Sequence, residues 1–200
     1  MSHTTYVLIV MGPCGCGKSE VGQKVANLYK STFVDADAFH PKENVKKMGD
    51  GIPLTDEDRI PWLMKVRTEF LKFATNPSSS EKNKVAAVVG CSALKNKYRD
   101  ILRGEIPHPA VSSSDDSTNN AATTGDVKLH FILLNCSRAI LEQRLTQRSG
   151  HFMKSGMLES QLNTLEYPEG QELQSFSVVN GDLELVDVVE EIETKLKHII

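Results

Sequence analysis

Gly12, Gly15, Gly17, Lys18 and Ser19 fall at the spacing G-x-x-x-x-G-K-S/T within MGPCGCGKS. Glycines at these places let backbone N–H groups curl around phosphate oxygens that side chains would otherwise block. A lysine and a hydroxyl at the end of the loop then reach the β- and γ-phosphates and a Mg²⁺ ion. Gly12, Pro13, Cys14, Gly15, Cys16, Gly17, Lys18 and Ser19 therefore read as a nucleotide-phosphate cradle, with Lys18 acting on the transferred group and Ser19 as a metal ligand. A glycine-rich turn that binds nothing is the alternative. Context separates the two, because the cradle needs a strand before it and a helix after it.

More residues able to do chemistry follow in VDADAFHPKENVKKMGDGIPLTDEDRIPWL. Asp35 and Asp37 are two apart, so on a continuing strand their side chains share one face at its carboxyl end. Asp35 suits Mg²⁺, directly or through water, and Asp37 suits a hydroxyl about to attack a γ-phosphate. Capping of the next helix is the other use of such a pair. His40 and Arg59 add donors. In GCSALKNKYRD, a helix from near Ser92 stacks Lys95 and Arg99 at i and i+4, on a face fit either for an anionic group or for solvent. Arg144 and Arg148 repeat that interval behind Ser137, a candidate helix cap, and lead into SGHFMKSGMLESQ. Arginines on a segment that closes over phosphate neutralise charge during transfer and exclude water. Their alternative is an exposed basic helix end interacting with its own dipole.

The elements that must position these residues are legible as apolar patterns. Residues 6–10, directly before the loop, form a short β-branched run, and Val21, Val25 and Leu28 recur at helical spacing behind it. Further strands are expected at 33–35, 85–89, 129–134 and 176–179. Between them lie helical patterns through Trp62, Leu63, Val66, Phe70 and Phe73, through Ile140, Leu141 and Leu145, and through Leu185, Val188, Val189, Ile192 and Leu196. Strands alternating with amphipathic helices predict a parallel sheet in a three-layer α/β/α domain. Ligands of such sheets bind beyond the carboxyl ends of the strands, where each of the segments above falls.

A length of 200 residues suits one domain, 1–200. Residues 107–126, PHPAVSSSDDSTNNAATTGD, hold almost no apolar side chains and are expected to be a flexible insertion. The polar tract at 76–80, NPSSS, reads as a loop. A net charge of -3 provides no basic field for nucleic acid. No apolar run approaches membrane-spanning length and no leader precedes the first strand, so a cytoplasmic protein with no membrane partner is expected. Cys14, Cys16, Cys91 and Cys136 form no C-x-x-C, and reduced thiols are the expectation. The residues by themselves lead to a kinase for a small, anionic substrate bearing a hydroxyl.

The blocks MGPCGCGKS, DADAFHPKENVKKMGDGIPLTDEDRIPWL, CSALKNKYRDILR and RLTQRSGHFMKSGMLESQLNTLE closely resemble the gluconokinase family of small P-loop kinases, related in fold to shikimate and nucleoside monophosphate kinases. The resemblance implies a P-loop kinase fold with a mainly parallel five-stranded sheet and a lid segment. It implies transfer from ATP, with Mg²⁺ held at Ser19 and Asp35, to the 6-hydroxyl of D-gluconate, giving 6-phospho-D-gluconate and ADP. Carried over by residue, it makes 12–19 the ATP phosphate site, with Arg144 and Arg148 joining from the lid. It makes Lys18 and Asp37 catalytic, Asp37 facing the reacting hydroxyl. His40, Arg59, Lys95, Arg99 and His151 become candidates for the gluconate hydroxyls and carboxylate. A homodimer is compatible with this reading. Two departures are Cys14 and Cys16, where small residues are common, and the length of 107–126. A shikimate or nucleotide kinase of the same fold is the competing enzyme, against which HPKENVKKMGDGIPL argues. A non-catalytic ATP-responsive binding protein is the competing class, against which Lys18, Ser19, Asp35 and Asp37 argue together.

Overall fold

The computed structural model describes residues 4–74, 84–106, 127–147 and 155–200. Its apolar runs become five strands: β1 (Thr5–Met11), β2 (Thr32–Asp35), β3 (Val85–Gly90), β4 (Val127–Asn135) and β5 (Phe176–Asn180). All pair in parallel, in the order β2-β3-β1-β4-β5. The strand that runs into the glycine loop is thus central. The chain leaves it to one side for β2 and β3 and returns to the other for β4 and β5, which opens a crevice at the carboxyl ends where the order reverses.

The described residues form seven α-helices: α1 (Lys18–Leu28), α2 (Lys42–Gly49), α3 (Asp56–Ala74), α4 (Asn96–Arg103), α5 (Arg138–Gln147), α6 (Ser155–Thr164) and α7 (Leu185–Leu196). The period-two alternation of β1 divides its side chains between two cores. Val7, Ile9 and Met11 pack with Trp62, Leu63, Val66 and Phe70 of α3 and Leu102 of α4. Leu8 and Val10 pack with Val21 and Val25 of α1, Leu141 of α5, Leu158 of α6, and Ile192 and Leu196 of α7. Each aliphatic side chain so buried stabilises the fold by roughly 1.5–3 kcal/mol relative to exposure. These two cores are the three-layer α/β/α arrangement that the pattern predicts. Helix α1 lies close to the sheet because residue 22 is glycine: a Cβ there would meet Phe33 Cε2 at 2.4 Å.

Two local expectations are corrected. β2 stops at Asp35, and a 3₁₀ turn, Ala36–Phe39, follows at once, so Asp35 and Asp37 are not on one continuing strand. Nor does a helix begin near Ser92. Ala93 takes a left-handed φ of 42° and Lys95 is extended, so α4 opens only at Asn96. The expectations for 107–126 and 76–80, and those for Arg148 and His151, fall outside the described residues. Among the described residues no helix is long and apolar enough to cross a membrane, and all four cysteines are thiols.

Candidate active site

The loop between β1 and α1 takes a shape that its glycines permit. Gly15 and Gly17 have φ of 83° and 96°, in the left-handed region that other residues enter at a cost. A Cβ at Gly15 would also be tight, 3.0 Å from Leu145 Cγ and 3.2 Å from the Leu141 carbonyl of α5. Gly17 caps α1, whose first turn presents unpaired N–H groups and the positive end of the helix dipole. Lys18 Nζ folds over the loop and donates to the carbonyls of Gly12 at 3.0 Å and Pro13 at 2.9 Å. Cys16 is buried in the core beneath the loop, while Cys14 is half-buried.

Asp35 meets this loop from the end of β2. Its Oδ2 accepts from the Ser19 hydroxyl at 3.3 Å, and its Oδ1 accepts from the Asp37 N–H at 3.0 Å as the cap of the 3₁₀ turn. The capping reading is therefore borne out by one oxygen, and the other is left beside the Ser19 hydroxyl. A serine hydroxyl beside a carboxylate oxygen is a hard donor pair that fits Mg²⁺, an ion that takes one or two protein oxygens and fills the rest of its octahedron from phosphates and water. Cys91, at the end of β3, senses the same corner. Burial chiefly pushes its thiol up to about 12, and the charges of Asp37, Lys18 and Asp35 all act on it.

From Asp37 the site continues through His40 and Arg59. The Asp37 side chain is exposed, with Oδ1 3.9 Å from His40 Nε2. The His40 ring stacks on Trp62 with centroids 4.0 Å apart, and Trp62 Nε1–H donates to the Ala36 carbonyl at 2.8 Å, which pins the turn bearing Asp37 to α3. Burial holds the His40 imidazole below its ordinary pKa, with Asp37 partly offsetting this and Arg59 adding to it. Arg59 projects from the first turns of α3, a helix started by a reciprocal cap: Asp58 N–H donates to Thr55 Oγ1 and Thr55 N–H to Asp58 Oδ2. Asp58 also pairs with Lys47 of α2 at 2.7 Å.

Around Arg59 and Lys95, both singled out from the sequence, lies a cluster that also takes in Lys97, Tyr98 and Asp56, which were not. Arg59, Lys95 and Lys97 surround the Tyr98 ring at 5.8, 5.6 and 5.9 Å from its centroid. Asp56 accepts from Lys97, from the Tyr98 hydroxyl and from Lys95. Those three donors, Lys97 first, hold its carboxyl well below the usual range. The Tyr98 hydroxyl is pushed up to about 12, by burial first and then by its bond to Asp56. Arg59, Lys95 and Lys97 outnumber Asp56 and its neighbour Glu57, which also feels the charge of Lys97, so this corner keeps a net positive charge.

Arg99 is not part of that cluster. Its side chain is fully buried and saturated, bonded to Glu172 at 2.6 and 2.9 Å and to the carbonyls of Ala93, Leu94 and Glu166. The stacked Lys95 and Arg99 pair expected on one helix face is therefore absent: Lys95 precedes the helix and points to Asp56, while Arg99 points into the protein. Arg144 lies on the other side of the phosphate loop. Its guanidinium donates to the carbonyls of Gly181 at 3.0 Å and Leu183 at 3.5 Å. It lines a cavity of about 470 Å³ with Gly15, Gly17, Val21, Asp182 and Leu185. Ser137 caps α5 as expected, accepting from the Ile140 N–H at 3.4 Å.

The central strand, the phosphate loop and the sheet order define a P-loop kinase. Comparison with known proteins agrees. A family model described as shikimate kinase matches residues 14–197. A probable gluconokinase of Rattus norvegicus is 40% identical over 196 residues, 98% of this chain and 100% of its own. A thermoresistant gluconokinase of Escherichia coli is 36% identical over 188 residues, 94% of this chain and 91% of its own. The crystal structure of a gluconokinase from Sinorhizobium meliloti superposes with a TM-score of 0.73 at 35% identity, covering 99% of this chain and 94% of that one. The chain belongs to the shikimate kinase family by that model and, by these relatives, to the gluconokinases.

Proposed function

We propose that this protein transfers the γ-phosphoryl group of ATP to the 6-hydroxyl of D-gluconate, releasing 6-phospho-D-gluconate and ADP. The observation that carries the reading is the continuity of one site along the sheet edge. A phosphate loop with Ser19 against Asp35 passes, through Asp37, His40 and Arg59, into a cation cluster of a charge suited to a sugar acid. The nucleotide base and ribose take the cavity beside Arg144, and the phosphates lie along residues 12–19. Mg²⁺ at Ser19 and Asp35 would supply charge neutralisation between the phosphates. Asp37 accepts the proton of the 6-hydroxyl as that oxygen forms its bond to the γ-phosphorus. The bond from phosphorus to the bridging oxygen breaks, and ADP leaves with that electron pair. Lys18, already bent over the loop, stabilises charge on the transferred group. Arg59, Lys95 and Lys97 hold the carboxylate and distal hydroxyls; His40, wedged against Trp62, lines the path between. Arg99 serves by fixing the 93–95 turn, not by touching substrate. Arg148 is a further candidate for the ATP phosphates and His151 for gluconate, and the protein works as a single domain in the cytoplasm.

ADP release, measured with gluconate, shikimate and AMP as separate acceptors, tests the substrate class. Release with gluconate at a rate well above the other two is expected. Release with shikimate or AMP instead assigns one of the sister activities, and release with none assigns a nucleotide-binding protein without transfer.

A further inference from the structure

The N–H of Cys14, within the phosphate loop, donates to the side-chain carbonyl of Gln161 at 2.7 Å, across 147 residues of sequence. Only an oxygen can face an N–H donor in this way, so the amide orientation follows from the bond itself. Gln161 sits on α6, and α6 is fixed at both ends. Leu158 is buried in the core beneath the loop. Past the helix, Glu166 accepts from the Asn96 N–H at 2.6 Å and donates its own N–H to the Leu94 carbonyl at 2.8 Å. The helix thus spans from the phosphate loop to the turn that carries Lys95.

The base cavity is lined by the loop from Gly15 onward, and Cys14 is not among its lining residues. Along the loop, the Cys14 N–H is therefore a donor beyond the base end, towards the distal phosphates. A backbone N–H makes one strong bond. We propose that Gln161 is a positioning residue that discriminates nucleoside triphosphate from diphosphate, because its amide oxygen and the terminal phosphoryl group compete for the Cys14 N–H. With α6 anchored, the Gln161 side chain turns away when the terminal phosphoryl arrives. It retakes the N–H once that group has moved to the acceptor. ADP leaves the contact intact. The amide oxygen so keeps the loop in shape between turnovers and favours the state after transfer.

This rests on the proposed occupation of residues 12–19 by nucleotide phosphates, and the experiment separates the two. Dissociation constants for ADP and for a non-hydrolysable imido analogue of ATP, both with Mg²⁺, are measured by titration calorimetry on the wild type, Gln161→Leu and Gln161→Glu. Losing one competing hydrogen bond predicts that Gln161→Leu binds the analogue about 3- to 10-fold tighter, with ADP unchanged within about twofold. Gln161→Glu, of the same size, holds the N–H more strongly and repels phosphate, so it weakens the analogue more than ADP. If Gln161→Leu fails to fold, the ratio in Gln161→Glu alone carries the test. An unchanged ratio of the two affinities, or weaker analogue binding in Gln161→Leu, overturns the proposal while leaving the phosphate site standing. A wild type that binds neither nucleotide overturns the phosphate site and the proposal together.

Discussion

At Asp35 a single carboxylate answers a question the sequence left open. Two aspartates in V-D-A-D suit either metal and proton chemistry or a helix cap, and nothing in their spacing decides between them. The fold uses the two oxygens separately, one on the Ser19 hydroxyl and one on the Asp37 N–H. Capping turns the chain at Asp35 and sends the Asp37 side chain out to solvent near His40. An exposed carboxylate with a hydroxyl to deprotonate should matter to turnover and little to nucleotide binding. Asp37→Asn is therefore expected to lower kcat by roughly 10²-fold or more, the scale of a lost general base, with ATP affinity nearly unchanged. Steady-state kinetics at saturating gluconate beside an ATP titration checks this. Loss of ATP binding with kcat preserved would move Asp37 into the nucleotide site.

At the scale of elements, the strands and the long helices were legible because each buries a face with a clear period. β1 alternates between two cores, and α3 presents Trp62, Leu63, Val66 and Phe70 to one of them. The start of α4 was not legible. C-S-A-L-K has no helix breaker, yet distant partners claim its backbone: the Ser92 carbonyl accepts from Gly12, that of Leu94 accepts from Glu166, and Arg99 takes those of Ala93 and Leu94. The buried pairing of Arg99 with Glu172 was hidden for the same reason, being 73 residues apart in sequence. Asp56, Lys97, Tyr98 and Gln161 were missed because, singly, each looks like an ordinary surface or helix residue. Only the fold gathers them. Burial works to raise the Glu172 carboxyl, but Arg99 and then Arg103 outweigh it and hold it below the usual range. Glu172→Ala strands a buried guanidinium and is expected to cost about 3–5 kcal/mol. Denaturant unfolding measures the loss. A raised KM for gluconate should accompany it, since the 93–95 turn is released. A variant as stable as the wild type would show that Arg99 finds other partners.

Across the whole molecule, acid stability should carry two signatures. His130 on β4 is buried and bonded to the Ser177 hydroxyl on β5 at 2.8 Å, and burial lowers its pKa from 6.5 to about 4. As pH falls below 6.5 the unfolded chain takes up this proton first, so stability is lost progressively down to about 4. At about 1.36 kcal/mol per pKa unit the loss is on the order of 3 kcal/mol. The Glu172 pKa is depressed in the fold as well, but here because the charged form is the one its arginine partners favour. Its contribution is complete above the unfolded carboxylate value and disappears only at lower pH, as the folded group protonates. Thermal unfolding followed from neutral pH to 4 should therefore weaken steadily in the wild type, and less steeply in His130→Gln, which keeps a hydrogen-bonding side chain but cannot titrate. Identical slopes in the two proteins would remove His130 from the account.

The joining of phosphate loop and cation cluster into one site makes a claim about a single covalent product. Phosphorus nuclear magnetic resonance of a mixture of protein, ATP, Mg²⁺ and D-gluconate observes that product directly. A new monoester signal, split into a triplet by the two protons of a primary carbon, is expected to grow as ADP appears. The rate is expected to fall roughly 10²-fold or more in Lys18→Met, which removes a preorganised cation from the transferred group. Inorganic phosphate and ADP without an ester, or an ester phosphorus coupled to only one proton, would contradict it.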